Sequence, residues 1–168
     1  MSATLVRWND MALSDAAEEI LPCCGSRRWA HALARLRPLL EVEVLFEKSD
    51  EIWRQLAPTD WDEAFSCHPR IGETKEHDTT TWSRWSSQEQ SGVDPSRQDI
   101  RDQLRDANRR YEERFGRIYI VCATGKSAEE MLAMLYRRLE NDDGTELNEA
   151  ADQQRLITQL RLRKWLGL

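Results

Sequence analysis

Histidine is scarce in this chain, with three imidazoles among 168 residues. Cysteine is hardly commoner: Cys23, Cys24, Cys67 and Cys122 form no Cys-x-x-Cys pair, which excludes zinc knuckles and redox dithiols and leaves reduced thiols as the simplest reading. No apolar run approaches the length of a membrane span, and no basic-then-apolar leader opens the sequence, so the expectation is a cytoplasmic protein without a membrane partner. Positive charge is not in excess either. The 24 basic against 30 acidic residues give a net charge of −6, with the two signs interleaved, which argues against nucleic acid as a partner. There is no dinucleotide-binding glycine loop, no lysine motif for a pyridoxal cofactor and no metal cage of defensible spacing.

What is present is helical periodicity. A charged fraction of 32% and a mean hydropathy of −0.72 describe a soluble chain, and its length suits one domain spanning residues 1–168. In "VEVLFEKSDEIWRQL", Val42, Leu45, Phe46, Ile52, Trp53 and Leu56 gather on one stripe. The stretch "DPSRQDIRDQLRDANRRYEERFG" repeats Ile100, Leu104, Ala107, Tyr111 and Phe115 at the same period and stops at Gly116. "SAEEMLAMLYRRLEND" opens on a capping box from Ser127 to Glu130, carries Met131, Leu135 and Leu139 inward, and ends at the turn signal "NDDG". "TELNEAADQQRLITQLRLRKWL" continues helically, and Ser14, Ser26 and Thr59 are predicted to cap three shorter helices. The strand-like "IYIVCA" is too short and solitary for a sheet. An all-α fold follows, a compact bundle of about seven to nine helices. Between Gly72 and Ser86 runs "ETKEHDTTTWSR", polar and without period, the kind of long connection that is usually functional or disordered.

Three places carry chemistry beyond what helices need. In "FSCHPRIGE" the proline bars His68 from the α region, so the imidazole projects from a helix end, where it either caps the last carbonyls or performs acid–base work near neutrality. In "SSQEQSG", Ser86 and Glu89 form a capping box, and Gln90 beside them makes the same helix start a candidate anion pocket. Arg161 falls one turn after Ile157 and one turn before Trp165, within an apolar stripe that includes Leu147 and Ala150, so it either snorkels to water or meets an anion. Rival readings are a metal-dependent hydrolase built on His68, Glu73, His77 and Asp78, a Cys67 nucleophile, and a helical interaction module. Against the second, Cys67 reads as a small packing residue. Against the third, most of the seven tryptophans fall on periodic stripes and only Trp82 and Trp85 lie in the irregular stretch.

Together these pieces resemble the 2-oxo-4-hydroxy-4-carboxy-5-ureidoimidazoline (OHCU) decarboxylases of urate breakdown. The family's His-Pro-x-x-Gly is similar to "HPRIG", its Ser-x-x-Glu-Gln to "SSQEQ", its aromatic-glycine stretch to "RFGRIYIVCATGKSAEEML", and its terminal Arg-Leu helix to "QLRLRKWL". The resemblance implies a cofactor-independent carboxy-lyase, a homodimer, that turns a small-molecule substrate into (S)-allantoin. The alternative is a metal-dependent hydrolase of a related ureido compound. It further implies His68 as catalytic proton donor with Glu89 beside it, and Pro69, Ser86, Gln90, Arg161 and backbone near Ile120 and Val121 as the pocket lining. One departure is plain: Arg117, Ile118 and Tyr119 stand where the family commonly has aromatic residues and a proline.

Overall fold

The structure, a computed structural model, describes residues 2–71 and 98–168. The described residues form eight helices and no strand, as the periodicity requires: α1 (Ala3–Asn9), α2 (Leu13–Cys24), α3 (Arg27–Arg35), α4 (Val42–Gln55), α5 (Pro58–Ser66), α6 (Gln98–Phe115), α7 (Ala128–Arg138) and α8 (Asp143–Leu166). None of these helices is long and apolar enough to cross a membrane. The chain divides into two compact units, Met1–Ala64 with Arg155–Leu168, and Phe65–Gln154.

In the first unit Trp8 and Trp29 are fully buried, and each indole satisfies its N–H on a backbone carbonyl, of Ala16 at 2.9 Å and Ser49 at 3.2 Å. Ser26 caps α3 as expected, its hydroxyl accepting from the Trp29 amide. Ser14 does not cap α2. That helix starts at Leu13 behind Ala12, so Ser14 lies one residue inside and its hydroxyl turns to Asp15. Thr59 likewise lies within α5, whose first residue is Pro58. The proline lacks the N–H that a first turn leaves orphaned, and Asp60 reaches back to the Ala57 amide at 3.3 Å. In α4 the buried line is Leu45, Ser49 and Trp53, spaced by four, while Val42, Phe46, Ile52 and Leu56 are only partly covered.

The second unit is built on α6 and α7. Ile100, Leu104, Ala107, Tyr111 and Phe115 meet Met131, Leu132, Leu135 and Leu139 in one apolar cluster that Ile71, Tyr119, Val121 and Ala123 complete. Fully burying a side chain such as Leu104 or Leu135 is worth ~1.5–3 kcal/mol. Gly116 ends α6 at φ 66°, a conformation a side chain would strain, and the Ser127–Glu130 capping box starts α7. The "NDDG" signal is not a turn that precedes a helix at Thr145. Asp142 is itself the cap, accepting from the Thr145 amide at 2.9 Å, and α8 begins with the residue after it. On the inward side of this first stretch it is Glu146 that is buried, and Leu147 only partly.

Candidate active site

Helix α5 ends at Ser66, and one further turn follows in which the His68 amide donates to the Phe65 carbonyl at 3.1 Å. Pro69 then prevents the helix from continuing. His68 and Pro69 are half-buried. The segment is fixed just beyond them: Arg70 makes a bidentate pair with Glu112 of α6 at 2.6 and 2.9 Å, and the Ile71 carbonyl accepts from buried Asn108 at 3.2 Å. The imidazole is itself engaged, Nε2 lying 2.6 Å from Oε1 of Gln154 on α8. Gln154 is completely buried. Cys67 is exposed, so it does not pack as the small apolar residue expected of it; the side chain after a helix end points outward here, and its neighbour turns in.

The run after Gly116 is buried from Tyr119 to Ala123, yet it belongs to no helix and pairs with no strand among the described residues. Its backbone polar groups therefore need side-chain partners. Arg138 Nη1 donates to the Ile120 carbonyl at 2.6 Å, Gln153 Oε1 accepts from the Cys122 amide at 2.9 Å, and Lys126 Nζ donates to the Cys122 carbonyl at 2.8 Å. Arg138 is fully buried, and its charge is met by the equally buried Glu146, at 2.8 Å from Nε and 2.5 Å from Nη2. Glu146 also accepts from the Tyr111 hydroxyl and, at 2.9 Å, from Asn141. The departure at residue 119 falls inside this network: Tyr119 packs under Arg138 with its hydroxyl on the Met131 carbonyl, and burial pushes its phenol up to about 12. Tyr119 is thus a core residue.

Two consecutive glutamines of α8 thereby hold the two stretches expected to form the site. Gln153 takes the 120–122 backbone and Gln154 takes His68. In the first unit, Arg161 is completely buried, so snorkelling, the bland reading of its position, does not occur. It lies near Cys23, whose thiol is pushed up by burial while the Arg161 charge pulls the other way. Ser86, Glu89 and Gln90 lie outside the described residues, as do Glu73, His77, Asp78, Trp82 and Trp85. Among the described residues no cluster of three or more His, Cys, Asp or Glu side chains has a metal-binding arrangement.

Gln153, Gln154, Arg138 and Glu146 were not singled out from sequence. A signal existed for Gln154: it follows Ala150 by one turn and precedes Ile157 by three residues, so it is a polar side chain on an apolar stripe by the same reasoning that marks Arg161.

A family model described as OHCU decarboxylase matches residues 9–163. The chain belongs to the OHCU decarboxylase family. Its relatives include the uric acid degradation bifunctional protein TTL of Arabidopsis thaliana, 36% identical over 156 residues that make up 92% of this chain and 48% of that protein. They also include the 2-oxo-4-hydroxy-4-carboxy-5-ureidoimidazoline decarboxylase of Mus musculus, 31% identical over 102 residues, 60% of this chain and 57% of that one. This family member spans about half the length of the curated relatives it matches. Among solved structures, an OHCU decarboxylase crystallised in the presence of (S)-allantoin is 34% identical, with a TM-score of 0.75 over 90% of this chain and 99% of that one. A solved (S)-allantoin synthase at 16% identity shares the fold, with a TM-score of 0.72 over 96% of this chain and 53% of that chain.

Proposed function

We propose that this protein decarboxylates 2-oxo-4-hydroxy-4-carboxy-5-ureidoimidazoline to (S)-allantoin, with His68 as the group that delivers the stereochemically decisive proton. The observation that carries the reading is the family match across residues 9–163, within which a histidine stands at a proline-stopped helix end with its ring held by a buried amide.

The substrate bears a hydroxyl and a carboxylate on one ring carbon, beside a carbon doubly bonded to nitrogen. When the bond to the carboxylate breaks, its electron pair forms a carbon–carbon double bond with that neighbour. The imine pair withdraws to nitrogen, which takes a proton. The hydroxyl then gives up its proton to become a carbonyl, and the ureido-bearing carbon takes one, which creates the stereocentre. Carbon dioxide is the only fragment lost. Because the substrate accepts its own electrons, the protein has two tasks, to stabilise moving charge and to present a proton to one face. His68 suits the second, at a typical contribution of ~10²–10⁴ in rate for such groups. Glu89 is assigned to the same chemistry, either orienting the imidazole or taking the hydroxyl's proton. Pro69, Ser86, Gln90 and backbone near Ile120 and Val121 are assigned to the pocket.

Arg161 is proposed to grip oxygens of the ring or ureido group that remain in the product. An arginine clasping the departing carboxylate would be held most strongly before reaction and would raise the barrier. Placed on retained oxygens, where negative charge gathers, it lowers it. The homodimer implied by the resemblance and the cytoplasmic setting expected from the sequence are part of the same proposal, and light scattering of the purified protein checks the first.

The test is saturable formation of allantoin from freshly generated substrate, before and after exhaustive chelation. Turnover that survives chelation supports the decarboxylase. Turnover abolished by chelation and restored by a divalent ion would overturn the cofactor-independent reading.

A further inference from the structure

We infer that Gln154 is a positioning residue for His68: it fixes the imidazole as the Nε2–H tautomer and so makes Nδ1 the nitrogen that carries the transferred proton. The inference rests on the proposed role of His68, and it stands on a contact between two residues 86 positions apart, Nε2 to Oε1 at 2.6 Å. An amide oxygen only accepts, so the hydrogen in that contact belongs to the imidazole. A neutral imidazole has one N–H, and with it committed to Nε2, Nδ1 is the nitrogen that gains and releases a proton.

The rest of the local structure narrows what Gln154 does. The backbone on the far side of His68 is tied to α6 through Arg70 with Glu112 and through Ile71 with Asn108, so the segment does not depend on Gln154 for its place. Those ties act on the backbone, whereas the last torsion of a histidine ring is intrinsically broad. A hydrogen bond to one ring nitrogen removes that freedom. Gln154 is fully buried and lies on a helix, so its side chain sits in packed interior rather than in solvent, as suits a partner for a transferring group. The residue type matters as well. A carboxylate at this position would stabilise the imidazolium and make it a weaker acid, whereas a neutral amide orients the ring without that charge.

The experiment reads the imidazole directly. Long-range proton–nitrogen NMR on uniformly ¹⁵N-labelled protein resolves the tautomer and titration of each of the three histidines, and His68→Asn assigns the signal. The wild type should show the proton on Nε2 in the neutral form. Gln154→Leu should give a mixture of tautomers and a kcat lower by roughly 10–100-fold with KM little changed. The near-isosteric Gln154→Glu keeps the shape should the leucine variant fail to fold. It should raise the His68 pKa by about 1–3 units and carry the matching limb of the pH–rate profile upward with it. A wild-type Nδ1–H tautomer overturns the inference, as does a titration and tautomer unchanged in both variants. Because the NMR needs no substrate, a positive result there with no allantoin formed would remove the decarboxylase reading and leave the positioning of His68 intact.

Discussion

Replacing Arg138 with methionine should be among the most damaging single changes in the second unit. Arg138 and Glu146 are both fully buried, and the guanidinium supplies two contacts to the carboxylate, at 2.8 and 2.5 Å, and one to the Ile120 carbonyl at 2.6 Å. Methionine fills much of the volume but leaves Glu146 with only the Tyr111 hydroxyl and the Asn141 amide from this network. Breaking a buried pair on one side typically costs ~3–5 kcal/mol because a charge is left uncompensated. For a domain whose total stability is of order 5–15 kcal/mol, that shifts the folding equilibrium by roughly two to four powers of ten. Removing both charges, as Arg138→Met with Glu146→Leu, should recover part of the loss, since no buried charge then remains. Urea denaturation of the wild type, both single variants and the double variant closes the cycle. A loss below about 1 kcal/mol in Arg138→Met, or a double variant as unstable as the two singles added, would refute the assignment of this pair as a coupled unit.

Three further outcomes are expected. His68→Asn should fold normally and lose ~10²–10⁴ of its stereospecific turnover, so near-normal activity in the allantoin assay contradicts the proton-donor role. Arg161→Ala should weaken substrate binding and inhibition by allantoin together; if allantoin binds as before while substrate binding collapses, the carboxylate is the partner of Arg161. Glu149, on α8, is held below the ordinary carboxylate range by its hydrogen bond from Arg137, partly opposed by burial. The stability this provides is present above the unfolded carboxyl pKa of about 4.3 and is lost as pH falls through the lowered folded value. The gap between wild type and Glu149→Gln should therefore be constant near neutrality and close in acid, and an acid denaturation series in which it stays constant would disprove the link.

The helices were legible because burial repeats at the helical period. Ile100, Leu104, Ala107, Tyr111 and Phe115 fall on one face in sequence and in the core alike, and Gly116 and Ser127 mark true ends. Starts were less legible where two polar residues compete to cap. Thr59 yields to Pro58 and Asp60, and Ser14 lies just inside a helix that has already begun. His68 was legible because proline dictates the backbone around it. Its partner was not, since nothing in the local sequence brings residue 154 to residue 68; that contact depends on where α8 lies against the end of α5 within the second unit. Arg138 was hidden for another reason. In a helix rich in arginine and glutamate, a buried ion pair has the same composition as an exposed one.

The central claim is that one imidazole delivers one proton to one face. Circular dichroism of the allantoin formed from freshly oxidised urate tests it most directly. A single enantiomer, (S)-allantoin, produced faster than the unassisted reaction is the expected result, and racemic product or a rate no greater than in buffer would contradict it.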